Sequence, residues 1–221
     1  MLAAIIAAAS SQNISTAYAK RGNILTGVGD TNSGAVKYRF SGMNTPISKY
    51  GITKEMLKSD SVVNVFGMRL IEEYSKKTGI QSANVKIHYI NRMNLGLSAM
   101  YQQMVNGISI EGSEIGFSIG IKGDIFSFGA TVFSDVQCVT TPSMSASDAL
   151  SVAKRDFGGE KIEIIERPAL CILPEEQGNG YAYKLTWKFT LNAIGPPART
   201  YRYFVSAENG KIVRKENQMR E

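Results

Sequence analysis

Histidine is the scarcest chemically active residue type in this chain of 221 residues, which contains one, His88. Zinc hydrolase sites use two or three histidines, so most such sites are excluded, and a Ser-His triad would have to use His88. Residues 85–90 around it have the alternating pattern of a strand. A structural role for His88 is therefore favoured over a catalytic or metal-binding one.

Long apolar runs and basic runs are also missing. No stretch of about eighteen apolar residues occurs beyond the extreme N-terminus, so no ordinary membrane-spanning helix is predicted there. Lys and Arg number 25 and Asp and Glu 19, which gives a net charge of +6. The basic residues are scattered singly or in pairs. An ordinary solvated surface is therefore favoured over nucleic-acid binding.

Cysteine is nearly absent, and the two present are Cys138 and Cys171. A disulfide between them would close a loop of about 34 residues and contribute about 3.5–4 kcal/mol in the chain-entropy model. Two separate buried thiols are the alternative. The choice depends on the redox compartment, so the disulfide is a possibility conditional on secretion.

The N-terminus indicates secretion. Residues 1–9 are small and apolar, and a polar stretch leads to Ala17-Tyr18-Ala19, an A-x-A pattern that signal peptidase recognises. The region before the apolar stretch has no Lys or Arg, so an unusual N-terminal helix is the competing interpretation. A signal peptide over residues 1–19 is favoured, and it predicts a secreted, extracellular protein.

Residues 20–59 are rich in Gly, Ser, Asn and Lys with little periodicity, and they are predicted to be an extended leader. Gly27-Val28-Gly29 with Gly34 faintly suggests a phosphate-binding loop. The segment lacks the Gly-Lys-Ser/Thr ending of such loops, so a linker is favoured.

Residues 60–137 are predicted to form one helix and an antiparallel meander. Apolar residues recur at helical spacing from Val63 to Tyr74, and Gly79 ends the helix. Gly67 within the helix indicates a close packing contact. Alternating patterns predict strands over 85–90, 97–105, 115–121 and 125–133. Asn106-Gly107 predicts a tight hairpin.

Residues 138–221 repeat this outline. Ser145 to Asp148 form a capping box that opens a short helix, and Gly158-Gly159 ends it. Strands are predicted over 162–166, 170–173, 181–191, 201–205 and 212–213, with a loop over 174–180 and a frayed tail over 214–221. The chain is therefore predicted to be α+β, with two successive units that each pack one helix on a curled antiparallel sheet.

Other candidate site residues lie in turns and on the predicted strand 181–191. Glu111 with Glu114, and Glu175 with Glu176, suit a cation or a carboxylate pair, but solvated turn charges are favoured. The alternating aromatic residues suit either a stacking platform or a core, and the core is favoured. They are Tyr181, Tyr183, Trp187 and Phe189. Lys184 and Lys188 on the other face suit an acidic partner or an exposed sheet face.

Several short segments form an ordered series along the chain. Residues 103–108 read Gln-Met-Val-Asn-Gly-Ile, residues 124–129 read Asp-Ile-Phe-Ser-Phe-Gly, and residues 141–145 read Thr-Pro-Ser-Met-Ser. These segments resemble the FTP domain in the propeptides of fungalysin- and thermolysin-type peptidases, in its fungalysin form. Residues 203–213, Tyr-Phe-Val-Ser-Ala-Glu-Asn-Gly-Lys-Ile-Val, resemble its PepSY-like end, except that Ser206 replaces the usual Asp.

The resemblance implies an FTP-like domain over 60–137 and a PepSY-like domain over 138–221, both cystatin-like. It implies a secreted protein that assists folding of a fungalysin-type zinc metallopeptidase catalytic domain and inhibits it. The chain itself is predicted not to be an enzyme, because one histidine cannot supply H-E-x-x-H, and no cofactor or metal is implied. Two alternatives remain: the pro-region of a fungalysin zymogen, and a secreted binding module or effector that kept the propeptide fold.

Overall fold

The fold is described from a computed structural model of the chain. It describes residues 19–20, 23–30, 35–78, 80, 82–133, 135–158, 161–177, 180–194 and 199–219. Apart from Ala19, the predicted signal peptide lies outside these residues, as do Gly34, Gly79 and Gly159. No described helix is both long enough and apolar enough to cross a membrane.

Among its described residues, the N-terminal part contains one long helix and eight strands. Helix α1 spans Asp60–Thr78, and two 3-10 turns precede it at Ile47–Tyr50 and Met56–Lys58, with a third after it at Ser82–Asn84. The strands are β1 (Ala19–Lys20), β2 (Asn23–Asp30), β3 (Ala35–Pro46), β4 (Val85–Met93), β5 (Gly96–Val105), β6 (Ile108–Ile110), β7 (Glu114–Gly120) and β8 (Asp124–Phe133).

Where the structure describes it, the C-terminal part contains helix α2, which spans Ala146–Phe157, and four strands: β9 (Ile162–Gln177), β10 (Gly180–Ala193), β11 (Thr200–Ser206) and β12 (Ile212–Asn217). The predicted capping box is confirmed, because the Ser145 side chain accepts a hydrogen bond from the backbone N–H of Asp148. Gly158 follows the last helical residue, as predicted.

All twelve described strands belong to one curled sheet, with β4 attached to β5 beside the main path. Most neighbours are antiparallel. Strand β6 leaves the N-terminal meander and pairs in parallel with β9, through Ser109 with Cys171 and Ile110 with Ile172. The α+β class is therefore observed, but two separate helix-on-sheet units are not confirmed, because β6 joins the two parts into one sheet.

Each helix covers a different part of this sheet. Helix α1 contacts β4, β5 and β7, and buries Val63, Phe66, Leu70 and Ile71 against the first core. Helix α2 contacts β9, β10 and β11, and packs Ala149, Ala153 and Phe157 against a second core. Burial of these apolar faces is the main source of stability for both helices.

Gly67 lets α1 approach the sheet closely, as the sequence predicted. A Cβ atom at this position would lie 1.9 Å from the Tyr101 hydroxyl oxygen and 2.8 Å from the Phe117 ring. Tyr101 is fully buried, and its hydroxyl donates to the carbonyl oxygen of Asn64 at 3.3 Å. Only glycine leaves room for both rings beneath the helix.

Residues 20–59 were predicted to be an extended leader, but their described residues form strands and 3-10 turns that belong to the fold. Residues of β3 pair with β8, from Ala35 with Phe133 to Pro46 with Asp124, and β2 pairs with β3. Ile47, Tyr50 and Leu57 are buried in the first core. The segment belongs to the sheet because its strand partners lie in the distant β8, which local periodicity does not reveal. Gly27 to Gly29 lie in β2, so neither a phosphate loop nor a linker is present there.

The C-terminal strands are longer than predicted. The predicted strands 162–166 and 170–173 and most of the loop 174–180 form the single strand β9, which pairs with β10 along its length, with register shifts near Lys188 to Leu191. The predicted frayed tail continues as β12 to Asn217, because Tyr201 to Phe204 of β11 provide a partner. Charged residues in these segments suit a half-exposed strand as well as a loop.

Candidate functional site

The turn at Glu111 and Gly112 lies where the two parts of the sheet meet. Its geometry is fixed by backbone contacts, since the Glu111 N–H donates to the Ile172 carbonyl at 2.8 Å. Ser113, which is fully buried, donates to the Ile110 carbonyl at 2.7 Å and accepts from the Gln103 N–H at 3.0 Å. Gly112 has a φ of 76°, a left-handed conformation that favours glycine.

A groove of about 320 Å³ opens beside this turn, between β4–β5 and the strands β9 to β11. It brings together residues that the sequence suggested separately, and adds two more from the C-terminal sheet. The imidazole and the charged side chains that line it are those of His88, Glu111, Glu114, Glu166, Lys188 and Arg202. The groove therefore brings together four of the predicted site residues: His88, Glu111, Glu114 and Lys188.

His88 lies at the rim of the groove. The pairing of β4 with β5 shifts register between Ile87 and Tyr89, so His88 is the extra residue of a β-bulge. It is exposed, and its ring lies edge-on to the Tyr89 ring with centroids 5.3 Å apart. The strand assignment is confirmed, but the side chain is on the surface rather than buried in the sheet.

Lys188 and Glu111 form an ion pair across the groove. The Lys188 ammonium lies 2.8 Å and 3.1 Å from the two carboxylate oxygens, and the side chains are 26% and 21% exposed. The neighbouring Thr186 and Thr190 are buried. The face of β10 that carries Lys188 is therefore largely covered. The sequence pattern was also compatible with an exposed sheet face at Lys184 and Lys188.

Glu166 forms a second polar contact in the groove. The Thr190 hydroxyl donates to Glu166 Oε2 at 2.5 Å, and Arg202 lies 3.5 Å from Oε1. The Thr190 hydrogen bond and the attraction of Arg202 hold the pKa of the Glu166 carboxyl below its ordinary value of 4.5, against the opposing effect of partial burial. Glu166 was not among the predicted site residues, because its partners lie in other strands.

This lowered pKa predicts a pH dependence of stability. A carboxyl with a lowered folded-state pKa stabilises the fold above its unfolded pKa and loses that contribution as pH falls through the folded value. We expect the free energy of unfolding to fall less steeply from about pH 5 to about pH 3 in Glu166→Gln than in the wild type. Urea unfolding at a series of pH values measures this, with Glu163→Gln, exposed on the same strand, as the control. Equal slopes in all three proteins would contradict it.

A second cavity, of about 650 Å³, lies on the other side of the same turn. Glu111, Glu175, Glu176 and Arg214 line it. Glu175 pairs with Lys184, and both glutamates lie in strand β9 rather than in the predicted loop. The predicted loop is therefore a paired strand, and the Glu175 carboxylate contacts the Lys184 ammonium.

The two cavities are polar, and three of the carboxylates that line them are paired with cations. Glu111 pairs with Lys188, Glu166 with Arg202, and Glu175 with Lys184. Within the described residues, no group of three or more His, Cys, Asp or Glu side chains is arranged to hold a metal ion. Such an arrangement supports binding and structural roles for these residues.

The two cysteines lie in different clusters. Cys171 is 3% exposed and packs with Leu173 and Phe204, whereas Cys138 packs against the cluster of Ile172 and Leu185. Cys171 and Ile172 are neighbours in a strand, so these clusters lie on opposite faces of the sheet. Both thiols are free, and the possible Cys138–Cys171 disulfide is not formed in this structure.

Free thiols predict a clear result in a titration. Burial raises the pKa of the Cys171 thiol to about 11 and also raises that of Cys138. We expect two thiols per chain after denaturation without reductant. In the native protein, half-buried Cys138 should react first and Cys171 should stay protected. Cys138→Ser identifies the faster thiol. A denatured, unreduced chain without free thiols would establish the disulfide instead.

The aromatic face of β10 forms core, as predicted. Phe189 is fully buried and stacks on Tyr203 with centroids 6.1 Å apart. The indole N–H of Trp187 donates to the Met144 carbonyl at 2.9 Å. Tyr181 and Tyr183 pack edge-on against Phe133. These rings bind other parts of the chain, so a stacking platform for bases is not present.

The C-terminal part also has a recognisable sequence pattern. The family model described as "Peptidase propeptide and YPEB domain" matches residues 143–216. This stretch is therefore similar to PepSY domains. The match runs from just before helix α2 to β12 and covers about a third of the chain, and it includes Glu166, Lys188 and Arg202 of the groove. Glu111 and His88 come from outside it.

The likeness to a solved structure is weaker than the family match. The Bacillus megaterium YpeB C-terminal domain aligns with 94% of this chain and 88% of its own, at 12% identity and a TM-score of 0.41. No curated protein sequence matches the chain.

Proposed function

We propose that this chain is a secreted, propeptide-like protein that binds and inhibits a fungalysin-type zinc metallopeptidase catalytic domain and assists its folding. The observation that carries the proposal is the PepSY match over residues 143–216, a family described as a peptidase propeptide domain. The FTP-like motifs of residues 103–145 support the fungalysin form, and the N-terminal pattern supports a signal peptide over residues 1–19. We also propose an FTP-like domain over 60–137 and a PepSY-like domain over 138–221.

The arrangement of the described residues suits such a role. Inhibition requires a stable surface complementary to the partner, and typical stable interfaces bury about 1,600 Å². Two apolar cores and a continuous sheet provide that rigidity. Ion pairs join Lys188 to Glu111 and Arg202 to Glu166, so these groove residues stabilise the sheet around them.

Inhibition is tested with the secreted chain and a purified fungalysin-type catalytic domain. Steady-state hydrolysis of a fluorogenic peptide is measured at increasing concentrations of the chain, with a zinc peptidase of another family as the control. We expect tight inhibition of the fungalysin-type enzyme and none of the control. Mass spectrometry of the secreted chain tests the expected start at Lys20.

Folding assistance is measured separately, as the refolding yield of the denatured catalytic domain with and without the chain. Higher yield with the native chain supports the proposal. Binding without inhibition or assistance would indicate a binding module that kept the propeptide fold. Absence of binding to several fungalysin-type enzymes would contradict the proposed function.

A further inference from the structure

Four large apolar side chains are exposed at one end of the N-terminal sheet. They belong to the ends of the β4–β5 and β7–β8 hairpins, and we name them the tip patch: Met93, Leu95, Ile121 and Phe126, which are 55%, 79%, 62% and 46% exposed. None contributes to the buried cores. Exposed apolar clusters of this kind are typical of surfaces that contact another macromolecule.

The register of the strands places these residues together. Met93 pairs with Gly96, and Gly96 pairs with Gly120, so Leu95 and Ile121 follow at adjacent positions of the two hairpins. A Cβ atom on Gly120 would lie 3.8 Å from the Phe126 ring. The register therefore brings the ends of the two hairpins, with their four exposed apolar side chains, next to each other.

Gly96 lets the two hairpins approach closely. A Cβ atom on Gly96 would lie 2.0 Å from the Ile119 carbonyl oxygen, so no other residue fits there. This close approach brings the turn that carries Leu95 next to the turn that carries Ile121. Large exposed apolar side chains held together on a rigid element are the usual anchors of an interface.

The residues beside the tip patch carry positive charge. Lys122 is exposed next to Ile121, and the Lys54 side chain passes within 3.3 Å of the Cβ position of Gly123 in the same turn. Neither lysine forms an ion pair with a described carboxylate. Asp124 in this turn is half-buried. An apolar centre with basic residues at its edge complements an apolar surface rimmed by carboxylates.

We propose that the tip patch is the docking surface for the peptidase catalytic domain, and that the partner offers an apolar surface flanked by acidic side chains. This inference rests on the proposed function. It assigns the primary contact to the hairpin ends of the N-terminal part, outside the PepSY domain. The groove at Glu111 then supports the fold and lies outside the contact.

Calorimetric binding to a fungalysin-type zinc peptidase catalytic domain tests the assignment. The tip variant is Leu95→Asp with Ile121→Asp in the full chain. The matched control is Val139→Asp with Ile194→Asp, at residues 75% and 58% exposed in the C-terminal part. We expect the tip variant to bind at least about 100-fold more weakly, and the control to bind within about threefold of wild type. Lys122→Glu should weaken binding several-fold and reduce its salt dependence. Circular dichroism checks that each variant is folded.

The outcomes separate the two proposals. Equal binding by wild type and a folded tip variant would overturn the docking surface and leave the inhibitor function in place. Absence of wild-type binding would overturn the proposed function, and the docking surface with it. Two other results would also overturn the assignment. One is a wild-type dimer in sedimentation that the tip variant does not form. The other is binding of the wild type to phosphatidylserine vesicles that the tip variant loses. In those cases a second copy or a membrane occupies the tip patch.

Discussion

Gly67→Ala is expected to destabilise the chain by about 3 kcal/mol, at the upper end of the range for overpacked cores. The added methyl group would lie 1.9 Å from the Tyr101 hydroxyl oxygen and 2.6 Å from its ring. Tyr101 is fully buried between the helix and the sheet, so α1 has to move outward. Alanine favours a helix over glycine by about 1 kcal/mol, and this gain offsets only part of the cost. Urea unfolding followed by far-UV circular dichroism measures the change.

The control for this prediction is Gly120→Ala. Its nearest neighbours would be 3.8 Å from the new Cβ atom, an ordinary contact, so we expect a much smaller change. Adding Tyr101→Phe to Gly67→Ala removes the closest atom but leaves the ring, and should restore part of the stability. A Gly67→Ala protein as stable as the wild type would contradict the close contact between α1 and β5.

Ile110→Ala is expected to destabilise both parts of the sheet together, by about 3–4 kcal/mol. Ile110 is fully buried in a cluster with Phe133 from β8 and with Ile172, Leu185 and Ala207 from the C-terminal part. Removing its side chain leaves a cavity at the joint between the two parts. Trp187 provides a separate probe, because it is the one tryptophan and lies in the C-terminal part. Fluorescence and circular dichroism during urea unfolding should show the same lowered midpoint.

Ile108→Ala is the matched control for Ile110→Ala. Ile108 lies in the same short strand but is only half-buried against the cluster, so a smaller loss is expected. A lowered midpoint in circular dichroism with an unchanged fluorescence midpoint would show that the C-terminal part unfolds independently. That result would contradict the role of β6 as a stabilising joint.

Local sequence patterns predicted most elements of the fold. The spacing of Val63 to Tyr74 predicted α1, and the Ser145 capping box predicted α2, because both signals act within one or two turns. Alternation predicted the aromatic core strand β10. Gly67 was correctly interpreted as a close contact. Each of these features depends on residues that are close together in sequence.

The remaining features depend on pairing across long separations. The pairing of β3 with β8 and the parallel pairing of β6 with β9 have no local signal, so the leader and the two separate units were predicted instead. The groove was missed for the same reason. His88, Glu111 and Lys188 were each weak candidates, and Glu166 and Arg202 became visible only when the strands carrying them were placed side by side.

The joint at β6 has a consequence for the order of folding. Glu111 and Lys188, which lie beside the joint, are 77 residues apart in sequence. The hairpins on either side need only short loops, whereas the parallel pairing must wait until both parts are largely formed. We therefore expect closure of the joint to be a late and slow step. During synthesis Ile108 and Ile110 leave the ribosome well before β9, so this short apolar strand is exposed to aggregation until its partner arrives.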